Sequence, residues 1–307
     1  MDLRQIFTTR KDTAWGVDVN QENAAEDARQ VRTATIPKEL IMVVRVEKSG
    51  PVWTVIHSRP EARNAMDPVS ADALVAVFQS FDVDATADVA VLWGEGGAFC
   101  AGWDLKYAAS LEGDNPLSGL DFPPAGSAVP RGPLGPTRLE LSKPVIAAME
   151  GPAVAGGMEL ALWCDLRVMA ETAYIGVYCR RWGIPLIDGG TVRLPRLVGQ
   201  GRALDIILTG RKVTAEECYR IGACERIAPQ GGARELAEQL AHEIARFPQA
   251  CVRSDRMSVY RQHGLPVRKA LETEWQTSIG IVTAEGIAGA GRFSAGKGRH
   301  GDYINIQ

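Results

Sequence analysis

No C-x-x-C pair occurs in the chain, so its six cysteines, at 100, 164, 179, 218, 224 and 251, lack zinc-ribbon spacing and no metal site is expected. Several stand in apolar or helical surroundings, where cysteine behaves as a small hydrophobe. A reducing, cytoplasmic setting is expected. Long apolar runs are also missing. Without a stretch of roughly 18 apolar residues no membrane span is expected, and without an apolar h-region at the N-terminus no signal peptide is expected. Positive charge is not in excess either: 34 Lys and Arg face 37 Asp and Glu, for a net charge of −3. With no basic stripe interleaved with aromatics, nucleic acid is not an expected partner.

What is present is ordinary for a globular protein. The chain has 307 residues, 46% hydrophobic and 23% charged, enough for a substantial core. Residues 1–41 differ from the rest. They are polar, acidic in the middle and weakly periodic, and read either as a flexible extension or as an arm that clasps a neighbouring subunit. From residue 42 the pattern becomes regular. Val43–Val46 and Val52–His57 flank Ser49-Gly50-Pro51 as a hairpin. Ser70 is placed to cap a helix over 71–81 whose apolar face is Leu74, Val77, Phe78 and Phe81.

Val89–Trp93 reads as a buried strand that runs into the glycines at 94, 96 and 97, then into a helical stretch over 104–110. The same arrangement returns in the most informative part of the chain, KPVIAAMEGPAVAGGMELALWCDLR at 143–167. Val145–Met149 is strand-like, Ala155-Gly156-Gly157 turns tightly, and a helix begins at once with Glu159 in its first turn. The first N–H groups of a helix lack internal partners. Two such turns can offer two N–H groups to one oxygen, which is what an enolate formed beside a thioester carbonyl needs.

Between these units, 111–137 is rich in Pro, Gly, Asp and Ser, a long loop that serves either as a lid or as a surface insertion. Further on, Thr214 and Glu217 have capping-box spacing, and 235–247 reads as a helix. From Cys251 onward the pattern is helical, then loosens into glycines.

Together, SRPEARNAM at 58–66, AFCAGWDL at 98–105, the 143–167 stretch, GGTVRLPRLVG at 189–199 and LTGRKVTAEECYRIG at 208–222 make the chain from about residue 43 resemble the crotonase superfamily, the enoyl-CoA hydratase/isomerase family. The resemblance implies an α/β fold, a crotonase-like spiral of ββα repeats over 42–247 followed by a helical C-terminal trimerisation region over 248–307. The implied assembly is a homotrimer or a dimer of trimers. The implied ligand is a coenzyme A thioester, which is the substrate, so no separate cofactor is expected.

It further implies an oxyanion hole from the N–H groups of Trp103 and Gly156, and coenzyme A contacts around Ala101, Asp104 and Leu105. Arg63 is the implied basic group for the nucleotide phosphates, and Phe293, Lys297 and Arg299 are an implied C-terminal aromatic and basic patch near it. Trp103, Tyr107, Trp163 and Trp182 are read as aromatics around an acyl pocket.

Family hydratases use two glutamates to add water across an α,β double bond. One matches Glu159. The second position is Cys179, which either lines the pocket or, with Arg180 and Arg181 lowering its pKa, acts as a thiolate. Asp188 is the candidate replacement. Its competing role is a buried structural Asp paired with Arg180, Arg181 or Arg193. The expected activity is enoyl-CoA hydration. The alternatives are a double-bond isomerase or a thioester or carbon–carbon hydrolase with one carboxylate, and, from another class, a non-catalytic acyl-CoA- or RNA-binding member.

Overall fold

A computed structural model describes residues 43–124 and 127–301; the expectation for 1–41 lies outside the described residues. The chain opens with β1 (Val44–Ser49) and β2 (Val52–His57), an antiparallel hairpin in which Val44 faces His57 and Ser49 faces Val52. The helix α1 (Pro68–Val83) follows. Its cap is Asp67 rather than Ser70: the Asp67 carboxylate accepts the Ser70 N–H at 2.8 Å, and Pro68 fills the first turn, where no N–H is needed. Leu74, Val77, Phe78 and Phe81 are buried as the spacing requires.

β3 (Val89–Gly94) leads through a glycine turn to the short α2 (Leu105–Ala109), capped by the Asp104 side chain. β4 (Val145–Met149), β5 (Ala153–Val154) and α3 (Gly156–Trp163) form one complete strand-strand-helix repeat. β6 (Leu166–Ala170) and β7 (Tyr174–Gly176) begin the next, which passes a 3-10 turn at Tyr178–Trp182 before α4 (Gly190–Val198). Then come α5 (Gln200–Thr209), β8 (Lys212–Thr214), α6 (Ala215–Ile221), β9 (Arg226–Ala228) and α7 (Ala233–Ala245). The C-terminal part is helical: α8 (Gln249–Arg261), α9 (Val267–Ile281) and α10 (Ile287–Ser294), the last two joined by a π-helical turn at Val282–Gly286.

The main sheet has the order β1-β2-β3-β4-β6-β9, parallel from β2 onward, and a second sheet has the order β5-β7-β8. Each pass through the main sheet thus returns through a second layer and a helix, the spiral of ββα repeats. Parallel strands covered on both faces need continuous apolar runs, and all of β4 is buried. Ile146 and Met149 within it, and Phe78, Phe81, Met158 and Leu160 in the helices, are fully buried. Each such side chain contributes roughly 1.5–3 kcal/mol through removal from water.

At the α6 start, Thr214 accepts the Glu217 N–H at 3.3 Å, but the Glu217 carboxylate turns to Arg211 at 2.8 and 2.6 Å. Only one arm of the capping box forms, because a guanidinium fork is the stronger partner.

Some buried side chains are polar, His57 among them. His57 closes β2 opposite Gly94, is 2% exposed, and neither ring nitrogen meets a hydrogen-bond partner among the described residues. Burial, helped by the nearby Arg59 charge, pushes its pKa down to about 4 from 6.5. The folded protein therefore refuses a proton that the unfolded chain accepts below about pH 6.5, so stability falls as the pH drops from there toward 4, by about 3 kcal/mol in all. The apolar variant His57→Leu is expected to lose less unfolding free energy than the parent between about pH 7 and pH 4.5 in denaturant titrations. An equal loss in both proteins would show that His57 does not set the acid limit.

Candidate active site

The two glycine turns meet. Cys100 pairs with Ala153 in a parallel bridge, with the Val154 N–H donating to the Cys100 carbonyl at 3.0 Å, and Met66 bridges Trp103 on the other side. Two glycines make this approach possible. Gly102 has φ 94°, and a Cβ there would lie 2.9 Å from the Ala155 Cβ and 3.1 Å from the Gly156 nitrogen. A Cβ on Gly157 would lie 2.0 Å from the Cys100 carbonyl oxygen.

Between them Ala155 is held at φ 56°, a left-handed conformation that a residue with a Cβ adopts only under local constraint. The hydrogen bonds of the two turns use the N–H groups of Cys100, Val154, Ala155, Met158 and Glu159, leaving those of Trp103 and Gly156 outside them. Asn64 braces the first turn from behind: buried and at φ 57°, it donates to the carbonyls of Glu95 and Ala98 at 2.8 and 2.7 Å.

In front of these groups lies a cavity of about 80 Å³. Ala101, Trp103, Leu105, Gly156, Glu159, Cys179, Trp182 and Asp188 all line it, so these expected site residues come together. Arg63, Asp104, Phe293 and Lys297 do not line it. The exposed Arg63 gives its carbonyl to the Ala101 N–H at 3.0 Å. The Asp104 carboxylate caps α2 and pairs with Arg59 at 3.0 Å. Phe293 is in α10 and Lys297 follows it, its N–H donating to the Arg292 carbonyl. Of the expected aromatics, Trp163 is a core residue instead: it packs edge-on against Phe78, with its indole N–H on the Leu139 carbonyl. Tyr107 stands edge-on to Trp103.

The carboxylates are held by backbone. Glu159 is buried, and its Oε1 accepts both the Asp188 N–H at 2.9 Å and the Gly190 N–H at 2.8 Å; Oε2 carries neither bond. Burial, reinforced by the Asp188 charge, pushes its pKa up to about 7 against the opposing pull of the two N–H groups. Asp188 is buried too. Its Oδ1 accepts the Leu134 N–H at 3.1 Å and the Thr137 hydroxyl, while Oδ2 is buried with no hydrogen-bond partner among the described residues.

Burial raises the Asp188 pKa as well. The ion pair considered for it does not form, since Arg193 binds its carbonyl rather than its carboxylate. For Cys179, burial and then the Glu159 charge raise the pKa against the opposing pull of Arg180, which disfavours the thiolate.

Leu134 and Thr137 are the functional contribution that sequence reasoning missed. They end the 111–137 loop, which is therefore neither free lid nor surface insertion at that end. The repeated Gly-Pro pairs at 132–133 and 135–136 were the available signal for a tight turn, which Gly132 and Gly135 close by exchanging backbone hydrogen bonds.

A family model described as enoyl-CoA hydratase/isomerase matches residues 47–280. The chain is 32% identical over 247 residues to enoyl-CoA hydratase EchA19 of Mycobacterium tuberculosis, covering 78% of this chain and 88% of that protein. It is 40% identical over 203 residues to carnitinyl-CoA dehydratase of Salmonella arizonae, covering 64% of this chain and 74% of that protein. Its fold matches the crystal structure of enoyl-CoA hydratase EchA1 from Mycobacterium marinum with a TM-score of 0.73 and 29% identity, over 82% of this chain and 95% of the other. The chain thus belongs to the enoyl-CoA hydratase/isomerase family, as a crotonase-type enzyme acting on acyl-CoA thioesters.

Proposed function

We propose that the chain is a hydratase that adds water reversibly across the α,β double bond of an enoyl-CoA, with Glu159 and Asp188 as its two proton carriers. The observation that carries this reading is the placement of both carboxyl groups in one apolar cavity, beside two N–H groups left outside the bonding of their turns. The thioester oxygen is held by the Trp103 and Gly156 N–H groups. The oxygen of water bonds to the β carbon, the π electrons move toward the thioester to give an enolate, and the water proton passes to a carboxylate. A proton from the carboxyl pair then reaches the α carbon.

Glu159, poised near neutral pH, suits either transfer. The free Oδ2 of Asp188 supplies the second proton position that Cys179 does not. A relative named as a carnitinyl-CoA dehydratase supports the same chemistry, since dehydration is hydration run backwards. Exposed Val267, Leu271, Trp275, Val282 and Ile287 on the C-terminal helices support a homo-oligomer, trimeric or hexameric.

The test is Asp188→Asn with crotonyl-CoA. Loss of roughly 100- to 10,000-fold in kcat, with the protein still folded, is expected of a proton carrier. Nearly unchanged hydration would sink that role. Loss of hydration with retained shift of a β,γ double bond would favour the isomerase reading, which needs only Glu159. That second reading has its own support in the Oδ1 of Asp188, committed to holding Leu134 and Thr137.

A further inference from the structure

Arg193 stands in the first turn of α4, where the unpaired N–H groups of the helix disfavour a cation. Among the described residues no carboxylate takes it in a direct ion pair. Its guanidinium donates to two carbonyls instead, Asp188 O at 2.9 Å and Thr137 O at 2.7 Å. Those two residues are not arbitrary. The Asp188 N–H is one of the two donors that hold Glu159, and the other, from Gly190, belongs to the same turn. The Thr137 hydroxyl is one of the two donors that hold the Asp188 carboxylate. A single planar fork therefore joins the turn that fixes one carboxyl to the loop end that fixes the other.

We propose that Arg193 is the positioning residue of this site, setting both the placement of Glu159 and Asp188 and the charge they face. The inference rests on the reading of those two groups as proton carriers. The geometry explains why the cation is tolerated where helix and burial both oppose it: the two carbonyls satisfy it, and the carboxyls are near enough to feel it. Arg193 faces Glu159 and Cys164 from α3 and its C-cap, Asp188 from its own turn and Tyr260 from α8; Arg138 adds a second positive charge toward Asp188. A facing cation favours the ionised form of a carboxyl. Arginine rather than lysine is required because only a planar fork reaches two acceptors in fixed directions.

The experiment compares Arg193→Met and Arg193→Lys in the full chain, reading kcat and KM for crotonyl-CoA against pH, with thermal melts to confirm folding. Arg193→Met is expected to lower kcat roughly 10- to 100-fold with little change in KM, as misplacement of reacting groups does. Both limbs of its pH profile are expected to move upward by roughly half a unit to one unit, since a removed cation raises both carboxyls. Arg193→Lys is expected to restore the parental pH profile but not the parental kcat.

A folded Arg193→Met with parental kcat and profile, beside an inactive Glu159→Gln, overturns the inference and leaves the reading of the carboxyls intact. If Arg193→Met does not fold, Arg193→Lys decides: parental kcat overturns the inference, and reduced kcat with a parental profile supports it. An active Glu159→Gln overturns both.

Discussion

Glu159→Gln is expected to abolish acyl-CoA turnover while making the fold more stable. Glutamine keeps the carbonyl-type oxygen that accepts the Asp188 and Gly190 N–H groups, so the turn at 186–190 stays in place. What disappears is the exchangeable proton. A general acid or base accounts for roughly 100- to 10,000-fold in rate, and a loss in that range is expected on removing either proton carrier.

The stability gain follows from the same burial. With a folded pKa of about 7 against 4.5 when unfolded, the unfolded chain ionises first as the pH rises, and folding loses about 3 kcal/mol by the time pH 7 is passed. Below about pH 4.5 both states hold the proton and the cost is absent. The variant should melt above the parent near pH 8 and converge with it near pH 4.5. A melting difference independent of pH would mean that Glu159 does not carry this strained charge. Opposition between activity and stability at one residue is what an active-site group should show.

Gly102→Ala is expected to be nearly as damaging, for a different reason. At φ 94° alanine is strained by roughly 1–3 kcal/mol. Its methyl would also stand between the turns, 2.9 Å from the Ala155 Cβ, 3.0 Å from the Val154 carbonyl and 3.1 Å from the Gly156 nitrogen. Something must give, and the nearest groups are those that present the Trp103 and Gly156 N–H groups. Loss of one oxyanion donor costs roughly 100- to 1,000-fold in kcat, so a drop of at least 100-fold is expected in the folded variant. Binding of unreactive butyryl-CoA should change little by comparison, because a saturated thioester develops no enolate charge. Comparable losses in kcat and in butyryl-CoA affinity would place the damage in binding rather than in the oxyanion hole.

Much of this architecture was legible beforehand because its signals are local. Strand, glycine turn and helix follow one another twice, each time within about 25 residues, and the N–H groups of Trp103 and Gly156, outside the bonding of their turns among the described residues, arise from that succession. The same holds for Glu159, whose place in the first helical turn is set by the glycines before it.

What escaped depends on contacts across the chain. Nothing in 111–137 announces that Leu134 and Thr137 grip Asp188 more than 50 residues away. Arg193 reads as a partner for a carboxylate, yet binds two carbonyls, because the nearby carboxyls are already held by N–H and O–H donors. Trp163 reads as pocket lining because it is aromatic, yet its ring packs against Phe78 in the core instead. The α1 cap moved from Ser70 to Asp67 because Pro68 starts a helix more readily than the apolar pattern alone suggests.

The central claim is that two carboxyl groups in one apolar cavity add water to an enoyl thioester. It is tested most directly by incubating the parent, Glu159→Gln and Asp188→Asn with a panel of short α,β-unsaturated acyl-CoAs in deuterium oxide and weighing the products. The account predicts that the parent forms a β-hydroxyacyl-CoA carrying one deuterium at the α carbon, and that neither variant does so at a comparable rate. Product formation by Glu159→Gln at the parental rate, or a parent that moves the double bond without adding water, would contradict it.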